Sequence, residues 1–326
     1  MSATRKYDGS ASLFGNSYPD RMKDSIRLYN PLNLRYSDQE IIKMDQELQE
    51  YLKTGKTSKS NDELWHMHYV ARGNLHPETR QPINKLFRWP AFVPTNIPLI
   101  MGISVLPPTP FNQIFFQSLN QTYNFGNNVV NSSASNKKSM TELSISYFAA
   151  VSSAIIGSAG LRHFIQKKNP TSGLGKAALM LTPYFGLVFA SSVNLAFSRS
   201  KELAEGIPIN HPTTQAQLPD LKSKVAARSA FLDSWLVRIT IPIPLTTIPM
   251  FATAFATRRF AWYKNAFPKL IWDASIVGSC LWGALIFFLS GIQPIGNTTL
   301  GELEPHIRQT FKDLPANTPI TFNKGM

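Results

Sequence analysis

A single cysteine, Cys280, is present among 326 residues, so neither an intrachain disulfide nor a cysteine-based metal site is available. No GxxxxGK, GxSxG or HExxH pattern occurs, and no internal repeat is evident by eye. His66 and His68 stand two apart, which points them to different sides of a helix, so no metal pair is read there and no cofactor is expected. The first thirty residues lack the apolar core of a signal peptide, and Asp8, Asp20 and Asp24 are out of character for a cleaved presequence, so targeting information is expected to be internal. The longest absence is of charge: from Trp89 to Asn136 there is no Asp, Glu, Lys, Arg or His.

Four later runs, Leu143 to Leu161, Ala177 to Phe197, Ile239 to Ala256 and Ala274 to Ser290, also lack ionisable side chains apart from Tyr and Cys280. Their length matches the hydrocarbon thickness of a bilayer, and a soluble core helix that long would carry a charged outer face. With Ala91 to Leu106 they make five apolar segments. The expected architecture is all-α: a multi-pass helical membrane protein with about five transmembrane helices, some broken by proline. The polar helical region 1–90 precedes a transmembrane domain 91–296, and residues 297–326 form a polar tail expected to be peripheral.

The net charge is +13, but the basic residues do not gather into one patch with interleaved aromatics, so nucleic acid is not an expected partner. They flank the apolar runs instead. Arg162, Lys167, Lys168 and Lys176 share one connection, and Arg258, Arg259, Lys264 and Lys269 share another with only Asp273 against them. By the positive-inside rule, a five-span chain would put both connections and the N-terminus on one face and the C-terminus on the other.

Within the uncharged stretch, Pro94 and Pro98 predict a kinked start, short of backbone hydrogen bonds. Thr109 then fits an N-cap with Pro110 at the first helical position. On the helix that follows, Gln113, Gln117, Asn120, Asn124, Asn127 and Asn131 are spaced four, three, four, three and four apart, which aligns six amides on one face, widened by Gln121 and Asn128. Such a face either meets water or lines a path through a bundle. The helix is about 33 Å long at 1.5 Å per residue, long enough to cross a membrane itself and turn five spans into six. Elsewhere, Gly157 and Gly160 suit close helix packing, Pro183 and Pro249 interrupt apolar runs, and a helix is expected over KSKVAARSAFLDSWLVR, outside the hydrocarbon. In the polar N-terminal region, Ser37 with Glu40 and Ser60 with Glu63 have capping-box spacing, and Gly55 suits a helix stop.

The residues now carry a resemblance to the sideroflexins, multi-spanning proteins of the mitochondrial inner membrane, over nearly the whole length. The family's HPDT stands here as HPET (His76, Pro77, Glu78, Thr79), its PVN as PTN (Pro94 to Asn96) and its asparagine-rich motif as NQTYNFGNNVVN. ELW near Glu63, Pro183, Asn194, the KEL-x-x-GIP stretch ending at Pro208 and FNKG from Phe322 to Gly325 add to it. Glu78 replaces the usual aspartate, and Ser132 stands where many members have arginine. The resemblance implies a carrier of serine or other small neutral amino acids supplying mitochondrial one-carbon metabolism, with a small-molecule substrate and the lipid bilayer as its partners. It leaves two alternatives, a tricarboxylate or iron-related carrier and a non-transporting inner-membrane assembly factor. An enzyme is not expected, because the membrane stretches offer no acid, base or activated nucleophile.

The candidate substrate-binding residues are Asn96, Gln117, Asn120, Gln121, Asn124, Asn128, Asn131 and Asn194, and the candidate hinges are Pro94, Pro183 and Pro249. Amides donate and accept, so they suit both ends of a zwitterion. The expected orientation has the N-terminus in the matrix.

Overall fold

The computed structural model describes residues 5–10, 12, 14, 17–107, 109–131, 139–168, 172–291, 293 and 295–324. Ser132 lies outside these residues. The N-terminal region holds α1 (Tyr18–Leu28), α2 (Asp38–Thr54) and α3 (Asn61–Asn74). Both expected capping boxes form: Ser37 and Ser60 accept from the N–H of Glu40 and Glu63, whose carboxylates accept in return from the serine N–H groups. Gly55 ends α2 in the left-handed conformation, φ 69°, which a residue without Cβ adopts at little cost. Ile41, Leu48, Trp65, Tyr69 and Val70 form the core between the helices.

The apolar part of the chain packs as a helical bundle. In order come α4 (Phe92–Ser104), α5 (Pro110–Val130), α6 (Met140–Ile155), a π turn (Ile156–Gly160) and α7 (Leu161–Lys167). Then follow α8 (Gly173–Met180), α9 (Thr182–Ser198) and α10 (Ser200–Glu205), and after strands β1 (Ile207–Asn210) and β2 (Gln217–Ser223) come α11 (Lys224–Thr240), α12 (Pro242–Arg259) and α13 (Ala266–Gly291). By length and composition three helical stretches suffice to cross a membrane: Thr141–Lys167, Lys224–Arg259 and Ala266–Gly291. A fourth is possible if α8 and α9, bent by 49°, count as one span. The fifth expected segment, Ala91 to Leu106, folds as the 13-residue α4, only about 20 Å long. It is a helix despite its prolines: Pro94 lies exposed in the first turn, where its missing N–H breaks no bond, and Pro98 alone interrupts the ladder.

Side-chain contacts trace the path of the chain. Gln113 reaches Ile103 O, Gly102 faces Phe116, and the Tyr123 hydroxyl donates to Leu86 O, so α5 runs back along α4. Thr122 meets Tyr147, and α6–α7 returns antiparallel to α5. Arg162 bonds Leu179 O while Gly186 lies against Ala154, which sets α8–α9 antiparallel again. Tyr184 bonds Ile239 O and Trp235 bonds Ser192, Thr253 bonds Asp273, and Gly278 faces Ile97. These contacts amount to six passes along the bundle.

The even number is that of the six-pass alternative, in which the amide-rich helix makes a pass of its own. Tyr18 and Arg21 of α1 donate to Phe287 O and Ser290 O in the last turns of α13, and Arg199 at the end of α9 donates to Lys324 O in the tail. Both terminal regions therefore sit at one end of the bundle. The basic connections around 162–176 and 257–273 lie at the other, not on the N-terminal face.

The tail is folded, and a small sheet accompanies the predominantly helical architecture. Residues 295–323 return as β3 (Ile295–Thr299), the short α14 (Pro305–Thr310) and β4 (Pro319–Asn323), and the four strands form an antiparallel sheet in the order β2-β1-β4-β3. Ile209, Ile320 and Phe322 pack on Ala226, Ala227 and Ala230 of α11. The expected helix over 222–238 is thus half right. Its first turns sit on the sheet, but with only Ile241 outside regular helix it continues into α12, a rod of about 54 Å, and its later turns belong to the bundle.

Candidate functional site

α5 is amphipathic in the reverse sense of a helix on a soluble protein. Gln113, Gln117, Asn120 and Gln121 are at most 6% exposed, whereas Phe111 is 72% exposed and Ile114, Phe115 and Leu119 share its outer face. Thr109 caps the helix through the Asn112 N–H and Pro110 occupies its first turn, as its residue types favour. The amide face turns inward because α4, α6 and α9 meet there with small residues: Gly102 against Phe116, Gly186 against Gln117. A Cβ on Gly186 would lie 2.8 Å from Gln117 Nε2 and 3.0 Å from Ala154 O.

The stripe is held unevenly. Gln113 Nε2 donates to Ile103 O at 3.3 Å, while its Oε1 and both amide atoms of Gln117 are buried without a hydrogen-bond partner. Asn96, buried on α4, donates to Phe92 O and reaches the Tyr123 hydroxyl. Asn124 is half-buried. The other end of the motif differs: Asn131 closes the helix, donating to Asn127 O and Oδ1 and to Phe87 O, and Asn128 is exposed. Asn194 stands on another seam, its Oδ1 in a long 3.5 Å contact with Arg238 Nη1. The structure thus gathers Asn96, Gln117, Asn120, Gln121 and Asn124 around α4 and α5 and leaves Asn128, Asn131 and Asn194 apart.

Of the candidate hinges, Pro183 stands in the first turn of α9 beside the 49° bend, and Pro249 is buried inside α12. Pro94 stands in the first turn of α4.

HPET lies outside the bundle, in the N-terminal region, and forms a tight turn. The His76 imidazole Nδ1 accepts from the N–H groups of Glu78 and Thr79 at 3.3 Å, and Arg80 takes φ 53° while donating to His76 O. HPTT at His211 builds the same turn between β1 and β2, with bonds of 3.2 and 3.3 Å and φ 56° at Gln215. The left-handed residue puts Arg80 onto Asp45 of α2, Nε to Oδ2 at 3.0 Å, which ties the turn to the helix.

Two features escaped the sequence reading. Asp273 is 2% exposed inside α13, bonded by Lys269 at 2.8 Å, Tyr263 at 2.7 Å and Thr253 at 3.3 Å; only its spacing of four from Lys269 hinted at this pair. The π turn at Ile156–Gly160 has no sequence signal beyond its glycines. Gly157 there lies on Phe185 O and Phe189, while Gly160 has no such close neighbour. Among the described residues no three His, Cys, Asp or Glu side chains gather into a metal site.

Comparison with known proteins identifies the family. The family model described as Sideroflexins matches residues 10–326. Sideroflexin-5 of Homo sapiens is 26% identical over 95% of this chain and 90% of its own length. Sideroflexin fsf1 of Schizosaccharomyces pombe is 28% identical over 76% and 74%, and the Sideroflexin of Dictyostelium discoideum 26% identical over 98% of each chain. No solved structure matches the chain. With its motifs, its apolar helices and a family match over nearly the whole length, the chain belongs to the sideroflexins.

Proposed function

We propose that this chain carries small neutral amino acids, serine foremost, across the mitochondrial inner membrane, with the amide face of α5 as the polar part of the path. The observation that carries the reading is the inversion of α5, which buries its amides and turns Phe111 and Phe115 outward. Buried amides supply donors for a carboxylate and acceptors for an ammonium without adding net charge. A zwitterion suits such a lining. A tricarboxylate does not, because an unpaired charge costs several kcal/mol to desolvate and α4 and α5 carry no cation. Arg88 is turned away to Asp38 and Ile83 O, and Arg162 to Leu179 O. Asp273, the one buried carboxylate of α13, is already neutralised by Lys269.

Since no net charge moves, the roughly 2.3 kcal/mol per charge per 100 mV of membrane potential neither drives nor opposes transport. The basic ends at Arg162–Lys176 and Arg258–Lys269 fit the matrix face by the positive-inside rule, which puts both termini on the opposite face. The test is flux in liposomes carrying an imposed potassium diffusion potential. Serine uptake independent of the potential, with no citrate uptake, is expected; robust citrate uptake or potential-driven serine uptake overturns the reading.

A further inference from the structure

The π turn and Gly186 beside Gln117 say more than that a polar face is buried. Gln117 has no exposed surface, and neither Nε2 nor Oε1 has a partner. Its Nε2 lies against the backbone of Gly186, and Ser158 of the π turn closes on the same point, its Cβ 2.8 Å from where a Gly186 Cβ would stand. Ser158 Oγ donates to Ala154 O at 2.7 Å, so its proton is committed and its lone pairs remain as acceptors. π turns interrupt regular helices mostly where function needs an irregular backbone. Here the turn sits on the seam between α6–α7 and α9, whose first turn follows the 49° bend from α8.

A carboxamide with both atoms unpaired offers a donor and an acceptor side by side, and among the side chains of small neutral amino acids the group that can use both is a hydroxyl, which needs an acceptor for its proton and a donor for its oxygen. The charged ends of a zwitterion demand several partners, and those stand further along α5 at Asn120, Gln121 and Asn124. The glycine-lined junction is too tight for more than a small group. Resting on the transport reading above, we infer that Gln117 is the specificity-determining residue of the carrier: it recognises the side-chain hydroxyl of a small hydroxy amino acid, and Gly186 sets the size limit. The junction is closed in this conformation and opens to the substrate when α9 shifts on the Gly157–Gly186 seam.

The test compares wild type, Gln117→Leu and Gly186→Ala in liposomes loaded against labelled serine, alanine and glycine, with thermal unfolding of each protein in detergent. Wild type should prefer serine to alanine. Gln117→Leu should lower the serine-to-alanine flux ratio roughly tenfold, the worth of about one buried hydrogen bond, because serine alone presents a hydroxyl to the amide. Its melting temperature should equal or exceed that of wild type, because leucine leaves no buried polar atom unpaired. Gly186→Ala narrows the junction and should lower the serine-to-glycine flux ratio. If wild type carries none of the three amino acids, the transport reading fails and the inference with it. If wild type carries them but Gln117→Leu keeps the serine-to-alanine ratio, the inference alone falls. It falls equally if that variant loses both fluxes together with its melting temperature, for Gln117 is then a packing residue.

Discussion

Removing Lys269 should harm the protein far more than neutralising its partner. Asp273 Oδ2 lies 2.8 Å from Lys269 Nζ, with the carboxylate 2% and the lysine side chain 40% exposed. At an effective dielectric of about 20 their attraction is about 6 kcal/mol, and burial of the carboxylate costs several kcal/mol in the opposite sense. Lys269→Ala removes the attraction and leaves that cost in place. Tyr263 at 2.7 Å and Thr253 at 3.3 Å still donate to the carboxylate, and the exposed lysine head was partly screened by solvent, so the loss should be about 3 kcal/mol rather than the full attraction. Asp273→Asn removes attraction and burial cost together, keeps a group that accepts from Tyr263, and leaves a half-exposed lysine free to hydrate; about 1 kcal/mol or less is expected. The double variant should resemble Asp273→Asn, a coupling of about 3 kcal/mol. Thermal unfolding of the four proteins in one detergent, with denaturant titration as a second measure, reads this directly. Equal losses for the two single variants, or additive losses in the double one, would refute the account of a buried carboxylate held by one cation.

Other expectations follow from the same structure. Protease-sensitive tags placed at the two ends should be cleaved from the same side of mitoplasts; cleavage from opposite sides would contradict the six-pass path set by the α1–α13 and Arg199–Lys324 contacts. Burial, with Arg72 and Arg80 nearby, pushes His68 down to about 4 from its ordinary 6.5. The unfolded chain then binds more protons between those values, so this contribution is complete above pH 6.5 and is lost as pH falls towards 4, by about 3 kcal/mol in all. Hydrogen exchange of α3 at pH 7.5 and 5 should show the drop, and His68→Phe should flatten it. Gly102→Ala would drive a Cβ into the Phe116 ring, and overpacking of the α4–α5 hairpin should cost about 1–3 kcal/mol, seen as a lowered melting temperature. Asn120→Ala and Gln121→Ala should cut serine flux at normal abundance while Asn128→Ala, on the exposed side, should not; loss in Asn128→Ala alone would move the path off the buried face.

Sequence alone was enough wherever the interaction spans a turn or less. Ser37 with Glu40, Ser60 with Glu63, and Thr109 with Pro110 form their caps because three or four residues of helix bring the partners together whatever surrounds them. Long uncharged runs likewise report a membrane before any packing is known, since lipid exposure restricts composition residue by residue. The HPET turn is local in the same way, and HPTT at His211 repeats its bonds in another setting. The amide stripe was visible as a periodicity, but its direction was not: a 3.6-residue period is the same whether the polar face meets water or a bundle. Only the packing of Gly102 and Gly186 against α5 turned it inward. The sheet escaped because its strands are four to seven residues long, with Pro219 inside one of them, and its two halves join only through the distant pair Ile209 and Phe322. The Asp273 pair, the reach of α11–α12 and the shared end of both termini are decisions of the same kind. They depend on which helices lie side by side, and that is set by long-range packing to which no stretch of sequence has access by itself.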